Sequence, residues 1–402
     1  MNFREIELQD HLDIQWGDTT KTKSSYVESG YLAFSASGPD GFLDSFDYDQ
    51  AGVILSAIGA NCGKTYYATG QWSCIKNTIR ILPKSSDLDL KFFYYLTKQK
   101  DFWPLRGSAQ PFISQTDIRE MHISVPDIST QKLVGDLLYM LDQKIQTNSL
   151  IAKTLELISQ TIFSSWFVNF EPVKAKASKE QPFGMNDETA RLFADSMQES
   201  ELGFIPLGWK VESLSNLLTI HKKVVKPSEQ TASLPYVPID QISPRTVFLH
   251  NSLPGQLAQT SLVSFDKMDI LFGAMRPYFH KVALAPFSGT TRTTTFILKP
   301  KISESLCFSL FTVFQDRAIE YATSHSQGTT MPYAVWANGF ENYRYVQPPF
   351  ELVVKFNDLV QPMLEYGQAL LLENRLYAAL RDLMLPRLLS GELHIQNNKL
   401  EP

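Results

Sequence analysis

The sequence predicts an α+β protein built twice over, with two mixed α/β units in tandem, each followed by a long helix. Three observations predict it. The chain carries an internal repeat; each copy ends in an apolar stripe of period 3.5; and strand-like and helix-like runs alternate within each copy. At 402 residues and roughly 150 residues per domain, two or three domains are expected.

The repeat is read first, because missing one misassigns the fold. Asn2-Phe3-Arg4 through Leu8, Leu12 and Ile14 aligns with Gly208-Trp209-Lys210 through Leu214, Leu218 and Ile220 at a shift of 206. Gly52-Val53-Ile54-Leu55 through Lys64, Thr78 and Pro83 aligns with Asp269-Ile270-Leu271-Phe272 through Lys281, Thr295 and Pro300 at 217. Gly107, Ser108 and Pro111 then match Gly328, Thr329 and Pro332 at 221. The growing shift places insertions in loops, where copies are free to differ.

After the first copy, Val134, Leu138, Leu141, Ile145, Asn148, Ile151, Leu155, Ile158 and Ile162 lie on one stripe, eight steps over 28 residues. Adding 225 gives Leu359, Met363, Tyr366, Leu370, Glu373, Leu376, Leu380 and Leu383, with Glu373 opposite Asn148. A 3.5 period is that of a coiled-coil seam, and a polar residue at one matching place sets register at a cost in stability. Two amphipathic helices packed on their own units are the alternative. Pro362 and Gly367 weaken the second stretch and predict a kink or a helix start near Pro362.

Between the copies, Glu171 through Pro206 is charged and poor in periodic apolar residues, which reads as a partly ordered linker with one short helix around Glu188 to Met197. Strands are expected at Gly52 to Ile58, Thr78 to Leu82, Asp269 to Met275 and Thr294 to Leu298, and helices at Leu88 to Phe102 and Leu306 to Ala322. Trp166 and Phe167 have two readings, closing a core or anchoring a partner.

Composition narrows the function. The net charge of -5, from 37 Lys and Arg against 42 Asp and Glu, excludes a polycation coating nucleic acid indiscriminately, but base readout needs only a few placed donors. No apolar run reaches the ~18 residues of a membrane span, and the N-terminal residues lack secretory-signal order, so a cytoplasmic protein without membrane contact is expected. Cys62, Cys74 and Cys307 form no CxxC, so neither a disulfide framework nor a zinc ribbon is expected. Gly59-Ala60-Asn61-Cys62-Gly63-Lys64-Thr65 has three residues between its glycines where a phosphate loop needs four, and its counterpart Arg276-Pro277-Tyr278-Phe279-His280-Lys281 keeps only the lysine. A hairpin tip is the expectation. Gln347-Pro348-Pro349-Phe350 has Gln where the methyltransferase tetrapeptide has Asn or Asp, and its counterpart Val125-Pro126-Asp127 reads as the start of a helix. No catalytic or metal-ligating set is visible, and no cofactor site is expected in this chain.

Ile113-Ser114 through Val125-Pro126, Phe163 through Lys174, Ile205-Pro206-Leu207-Gly208-Trp209 and Leu388-Leu389-Ser390-Gly391-Glu392-Leu393 follow one another in the order expected from the repeat. In this the chain resembles the specificity subunit (HsdS) of Type I restriction-modification systems over nearly its whole length. The resemblance implies target-recognition domains at 1–130 and 205–348, spacer helices at 131–170 and 349–395, a linker at 171–204 and a tail at 396–402. It implies that the spacer helices pack antiparallel and that the internal repeat is pseudo-two-fold. It implies a non-catalytic chain that reads double-stranded DNA, one half of a bipartite asymmetric site per domain. Its partners would be two modification subunits, which carry S-adenosylmethionine and methylate adenine at N6, and restriction subunits using ATP with Mg. A helix of about 30 residues, ~45 Å, matches roughly 13 base pairs between half-sites. A duplicated scaffold without DNA specificity is the alternative; a self-contained methyltransferase or nuclease would need a cofactor domain for which the chain has neither loop nor length.

The repeat also sorts residues. What both copies share cannot tell two half-sites apart, so Lys64 with Lys281, Ser108 with Thr329, and Pro111 with Pro332 are assigned to phosphate contacts or loop structure. Differing places supply the candidate base readers: Asn61 against Tyr278, Gln71-Trp72 against Ser288-Gly289, and Ile75-Lys76 against Arg292-Thr293, with Arg276 and His280 beside them. Arg276 and Arg292 suit guanine, and Asn61 or Gln71 suit adenine. Arg106, Gln110, Gln327 and Thr330 flank the shared loop. A solvated surface residue is the alternative for each.

Overall fold

The computed structural model describes residues 3–107, 109–259, 262–396 and 399–401, with backbone alone for 394–401. The chain divides into two compact units, one of Met1–Ile145 with Arg375–Pro402 and one of Gln146–Asn374.

In unit 1 the centre is an antiparallel sheet in the order Leu12–Trp16, Thr78–Pro83, Gly52–Ser56, Thr65–Ala68. Gly52–Ser56 is buried at every position, as expected of a covered central strand with Val53-Ile54-Leu55 at its middle. The short helix Leu90–Leu96 packs on this sheet. Its Asp89 N-cap accepts from the Phe92 amide at 2.8 Å, and the Asp89 amide donates to Gln131 Oε1 at 2.9 Å. A ribbon of Arg4–Glu7 with His122–Val125 feeds the first long helix, Ile128–Phe163. There Asp127 accepts from the Thr130 amide and hydroxyl and from the Ser129 hydroxyl, which holds its carboxyl down at about 2. Val134 and Leu138 of this helix and Met384, Leu388 and Leu389 of the second long helix complete the core. Tyr95 Oη donates to Asp142 Oδ2 at 2.6 Å and Arg381 Nη1 to Asp142 Oδ1 at 2.5 Å, tying the short helix to both long helices.

Unit 2 repeats the plan. Its sheet runs Leu218–His221, Thr295–Pro300, Ile270–Gly273, Val282–Leu284. The registers carry over too: Leu12↔Pro83 and Val53↔Ile81 in unit 1 correspond to Leu218↔Pro300 and Ile270↔Leu298 here. A ribbon of Lys210–Ser213 with Arg344–Gln347 leads into the second long helix, Phe350–Ser390. Gln347-Pro348-Pro349 is therefore the approach to a helix, where proline's missing N–H costs nothing. The helical run from Leu306 breaks at Gln315, whose ψ of 143° separates Leu306–Phe314 from Asp316–Ser324. The Cys307 amide donates to Asn357 Oδ1 at 3.1 Å, the same arrangement as Asp89 and Gln131 in unit 1.

Trp166 and Phe167 sit on the π turn Ser164–Val168 and are buried among Phe193, Trp209, Phe308 and Phe356; they close the core of unit 2. The intervening segment is more ordered than its composition suggests. Glu171–Ala177 and Asp187–Arg191 are helical, Val173 and Phe193 are buried, and Lys176 Nζ donates to the carbonyls of Ala190 and Phe193. Met197 belongs to a strand paired with Pro206, not to a helix.

The second helical stripe is one residue out of phase. In the first helix Val134, Leu138 and Asn148 are buried and Leu141, Ile145 and Leu155 half-buried. In the second, Leu359, Tyr366 and Leu380 are exposed by 41%, 56% and 43%, against 6% for Leu370, and Met363 and Glu373 are half-buried. The inward row is Phe356, Val360, Leu364, Gly367, Asn374 and Met384. A shift of 226 rather than 225 therefore relates the buried faces, matching Val134 to Val360, Gln131 to Asn357 and Asn148 to Asn374. Apolar residues occupy two adjacent rows of this helix, and type alone does not say which faces inward. In unit 2, Asn148 Nδ2 donates to Glu373 Oε2 at 2.7 Å, Asn374 Nδ2 donates to Ser149 Oγ at 2.9 Å, and Ser159 meets Met363 at 4.0 Å. From the Asn148–Glu373 pair to the Ser159–Met363 pair the first number rises by 11 as the second falls by 10, so the two segments are antiparallel. The helix runs through Pro362 rather than starting there. Gly367 has a packing reason: a Cβ there would lie 2.6 Å from the Phe248 ring.

Candidate nucleic-acid interface

In each unit one end of the four-stranded sheet is knotted to two further loops by the same three backbone hydrogen bonds. In unit 1, Ala57 N donates to Asn77 O at 3.0 Å, Gly59 N to Pro111 O at 3.0 Å, and Ile113 N to Ala57 O at 2.9 Å. In unit 2 the equivalents are Ala274 N to Thr294 O at 2.9 Å, Arg276 N to Pro332 O at 2.7 Å, and Ala334 N to Ala274 O at 2.8 Å. The residues obey the repeat shifts of 217 and 221, so a common scaffold carries three loops whose outer side chains differ. Gly59 to Lys64 is the tip between the antiparallel strands Gly52–Ser56 and Thr65–Ala68, a hairpin and not a phosphate loop.

These nodes gather most of the candidates. In unit 1 they bring together Asn61, Lys64, Lys76, Arg106 and Gln110; Ser108 lies outside the described residues. Lys64 is exposed and its Nζ donates to Asn61 Oδ1 at 2.7 Å, so the two present one joint surface. Lys76 and Gln110 are exposed. Arg106 is 60% exposed in its side chain and paired with Asp117 at 2.5 Å, a surface pair weak enough to exchange for a phosphate. In unit 2 the node gathers Arg276, Tyr278, Arg292, Thr293, Gln327, Thr329 and Thr330. Tyr278 is 48% exposed, and Arg292, Thr293, Gln327, Thr329 and Thr330 are exposed. Arg276 stands at φ 50°, the left-handed region, where unit 1 has Gly59 at φ 94°.

Three candidates are corrected. His280 is 3% exposed, set between the Phe314 ring and Asp316, and burial pushes its imidazole pKa down; it supports the loop from inside. Lys281 is half-buried with its Nζ on the Ile239 carbonyl at 2.8 Å, so it is a structural lysine, whereas Lys64 faces outward. Gln71 follows Ala68 at the opposite end of the sheet and donates to Asp49 at 3.3 Å, while its neighbour Trp72 is fully buried. A period-2 strand sends equal-looking residues to opposite faces and ends, which aligned positions do not reveal.

The sequence reading passed over Lys222, Lys223 and Lys226, all exposed. Val225, Leu262 and Arg292 form one row across the three-stranded sheet, which sets this lysine run on the same sheet as Arg292. The signal was the run His221-Lys222-Lys223-Val224-Val225-Lys226 itself, hidden by an acidic whole-chain balance. Among the described residues no cluster of His, Cys, Asp or Glu could hold a metal ion, and no helix is long and apolar enough to cross a membrane. The three cysteines are free thiols.

Comparison with known proteins bears on what such paired loop clusters belong to. Residues 2–157 match the Type I restriction modification DNA specificity domain. The chain is 24% identical over 365 residues to the Type I restriction enzyme MjaIX specificity subunit of Methanocaldococcus jannaschii, covering 86% of this chain and 78% of that protein. It is 25% identical over 334 residues to the HindI specificity subunit of Haemophilus influenzae, covering 72% of each. The fold matches the crystal structure of the Type I restriction-modification S subunit from M. genitalium with a TM-score of 0.64, at 15% identity and over 97% of this chain and 96% of that one. The repeated sheet topology and the long helices fit these relatives: over most of its length the chain is similar to specificity subunits of Type I restriction enzymes, and its first 157 residues carry the match to their DNA specificity domain.

Proposed function

We propose that each unit reads one half of a bipartite, asymmetric DNA site through its three-loop node. The observation that carries this is the pair of nodes, identical in backbone hydrogen bonding and different in the side chains they display. Shared backbone sets the loops against the duplex; the differing residues specify bases. Unit 1 would read with Asn61, Lys76 and Gln110, and unit 2 with Arg276, Tyr278, Arg292 and Thr293, with Lys64 and the lysine run from Lys222 on phosphates.

The long helices would dock two modification subunits. Leu359 and Tyr366 in unit 2, and Leu376, Leu380 and Leu383 in unit 1, are large apolar side chains exposed by 41% to 72% on one row of the second helix. Contiguous exposed apolar rows mark protein contacts. The modification subunits would bring S-adenosylmethionine for adenine methylation, and restriction subunits would bring ATP and Mg. Modified-base sequencing of host DNA with the gene intact and deleted tests the reading. Loss of methyladenine from one split motif on deletion is expected; an unchanged methylome, with the partner subunits expressed, would leave a scaffold without DNA specificity.

A further inference from the structure

Unit 1 contains a recess of about 390 Å3 that the base-reading loops do not account for. It lies behind the 57–64 hairpin, and its lining includes Lys64, Lys98, Gln99, Asp101, Phe102 and Trp103. Lys98 is an exposed residue whose Nζ is nevertheless tethered: it donates to the Thr65 carbonyl at 2.6 Å and stands 4.3 Å from the Tyr94 ring centre. Burial pushes this ammonium down to about 8, which leaves it mostly charged at neutral pH. The carboxylate that acts on it, Asp142, is held by Tyr95 and Arg381, so it is not a direct partner. An ammonium has three protons to donate, and the Thr65 carbonyl takes one.

The second donor is Trp103. It is 6% exposed, and its indole N–H is buried without an acceptor. Folded proteins rarely leave such a group unmatched. Its pyrrole edge faces the hairpin, since a Cβ on Gly63 would come to 3.8 Å from Cδ1, the carbon bonded to Nε1. Asp101, exposed, is the one carboxylate among the described lining residues, against Lys98 and Lys64. In unit 2 the shift of 218 that relates Asp89 to Cys307 puts Asp316 at the place of Lys98, so the feature belongs to unit 1 and not to the shared scaffold.

We propose that this recess binds a phosphoryl group, with the tethered Lys98 ammonium, the buried Trp103 indole N–H and the exposed Lys64 as its donors. The inference rests on the proposed DNA reading only for the source of that group, a backbone phosphate of duplex DNA at the hairpin or a free phosphate ion.

The test follows the indole N–H resonance of Trp103 in the full-length chain, identified as the signal missing from Trp103→Phe. Titration with inorganic phosphate at constant ionic strength, balanced with chloride, and separately with a duplex carrying the recognised site, should move it. Lys98→Met should weaken the phosphate effect at least about tenfold, the worth of a charged hydrogen bond. Movement with both ligands supports the site with DNA as one source, and movement with phosphate alone supports it with the free ion as the source. Movement with duplex alone supports it with DNA as the sole source. A resonance unmoved by phosphate and by duplex, or moved equally by chloride, overturns the proposal in the wild-type chain, whether or not Lys98→Met folds. A chain that fails to bind any DNA would count against the base-reading proposal while leaving the phosphate titration decisive here.

Discussion

Replacing Arg276 with glycine separates a loop-building role from a DNA-reading one. Arg276 holds φ 50° and ψ 62°, and its Nε is buried with no hydrogen-bond partner. A left-handed conformation costs a non-glycine residue about 1–2 kcal/mol, while glycine returns roughly 0.5–1 kcal/mol through its freer unfolded chain. The two nearly cancel, so Arg276→Gly should leave folding stability within about 1 kcal/mol, or some 2–4 °C in melting temperature for a unit of this size. Unit 1 supplies the precedent, since Gly59 occupies the same place with the same backbone bond to a proline carbonyl. Binding should behave differently. An arginine reading guanine contributes ~1–3 kcal/mol of discrimination, so affinity for the cognate duplex should fall about 5- to 150-fold and affinity for a scrambled duplex far less. Fluorescence anisotropy on both duplexes with the assembled complex, beside thermal melts of the chain, measures the two quantities. Equal losses on both duplexes, or a large drop in melting temperature with binding intact, would refute the reasoning.

Four further outcomes are expected. Lys64→Ala should weaken cognate and scrambled duplexes alike and reduce the slope of log affinity on log salt by about one, read from anisotropy at several salt concentrations. Asp142→Ala should destabilise unit 1 by ~2–4 kcal/mol, because it strands the buried Tyr95 hydroxyl and the Arg381 guanidinium, seen as a lower denaturant midpoint. Glu156 is buried and accepts from the Val247 amide at 2.5 Å and the Thr246 hydroxyl at 3.0 Å; desolvation nevertheless raises its pKa. A carboxyl whose folded pKa is raised favours folding while protonated and loses that contribution as pH climbs through the interval between its unfolded and folded values. Glu156→Gln should therefore flatten stability over that acid window and be at least as stable as wild type above it, checked by melts against pH. Leu376→Glu with Leu380→Glu should leave the melting temperature unchanged, since both are exposed, yet abolish copurification with a modification subunit.

The duplication, the strands at the centre of each unit and the presence of two long helices were legible in the sequence, because these rest on local patterns, whereas the 188–197 segment expected as one helix ends in a strand. Short apolar runs such as Val53-Ile54-Leu55, proline before a helix, and a 3.5-residue apolar period are readable without knowing what they touch. The sequence also determined which loop positions differ between copies, and therefore Asn61, Arg276 and Arg292 as candidates. Only tertiary structure decided where those side chains point. His280 and Lys281 sit in the same loop as Arg276 and Tyr278 but turn inward, because a tight turn with left-handed residues at both ends reverses the chain within four residues. Gln71 went to the far end of its sheet for the same kind of reason. The one-residue phase of the second helix was also beyond local pattern: Leu359 and Val360 are equally apolar, and what buries Val360 is the surface of unit 2 on which that helix lies, a set of contacts distant in sequence. The recess behind the 57–64 hairpin needed two separate segments, 62–66 and 97–105, to be folded together before Lys64, Lys98 and Trp103 could be seen to share it. Local sequence specifies what a segment becomes, whereas the direction of a side chain depends on long-range packing that no local window contains.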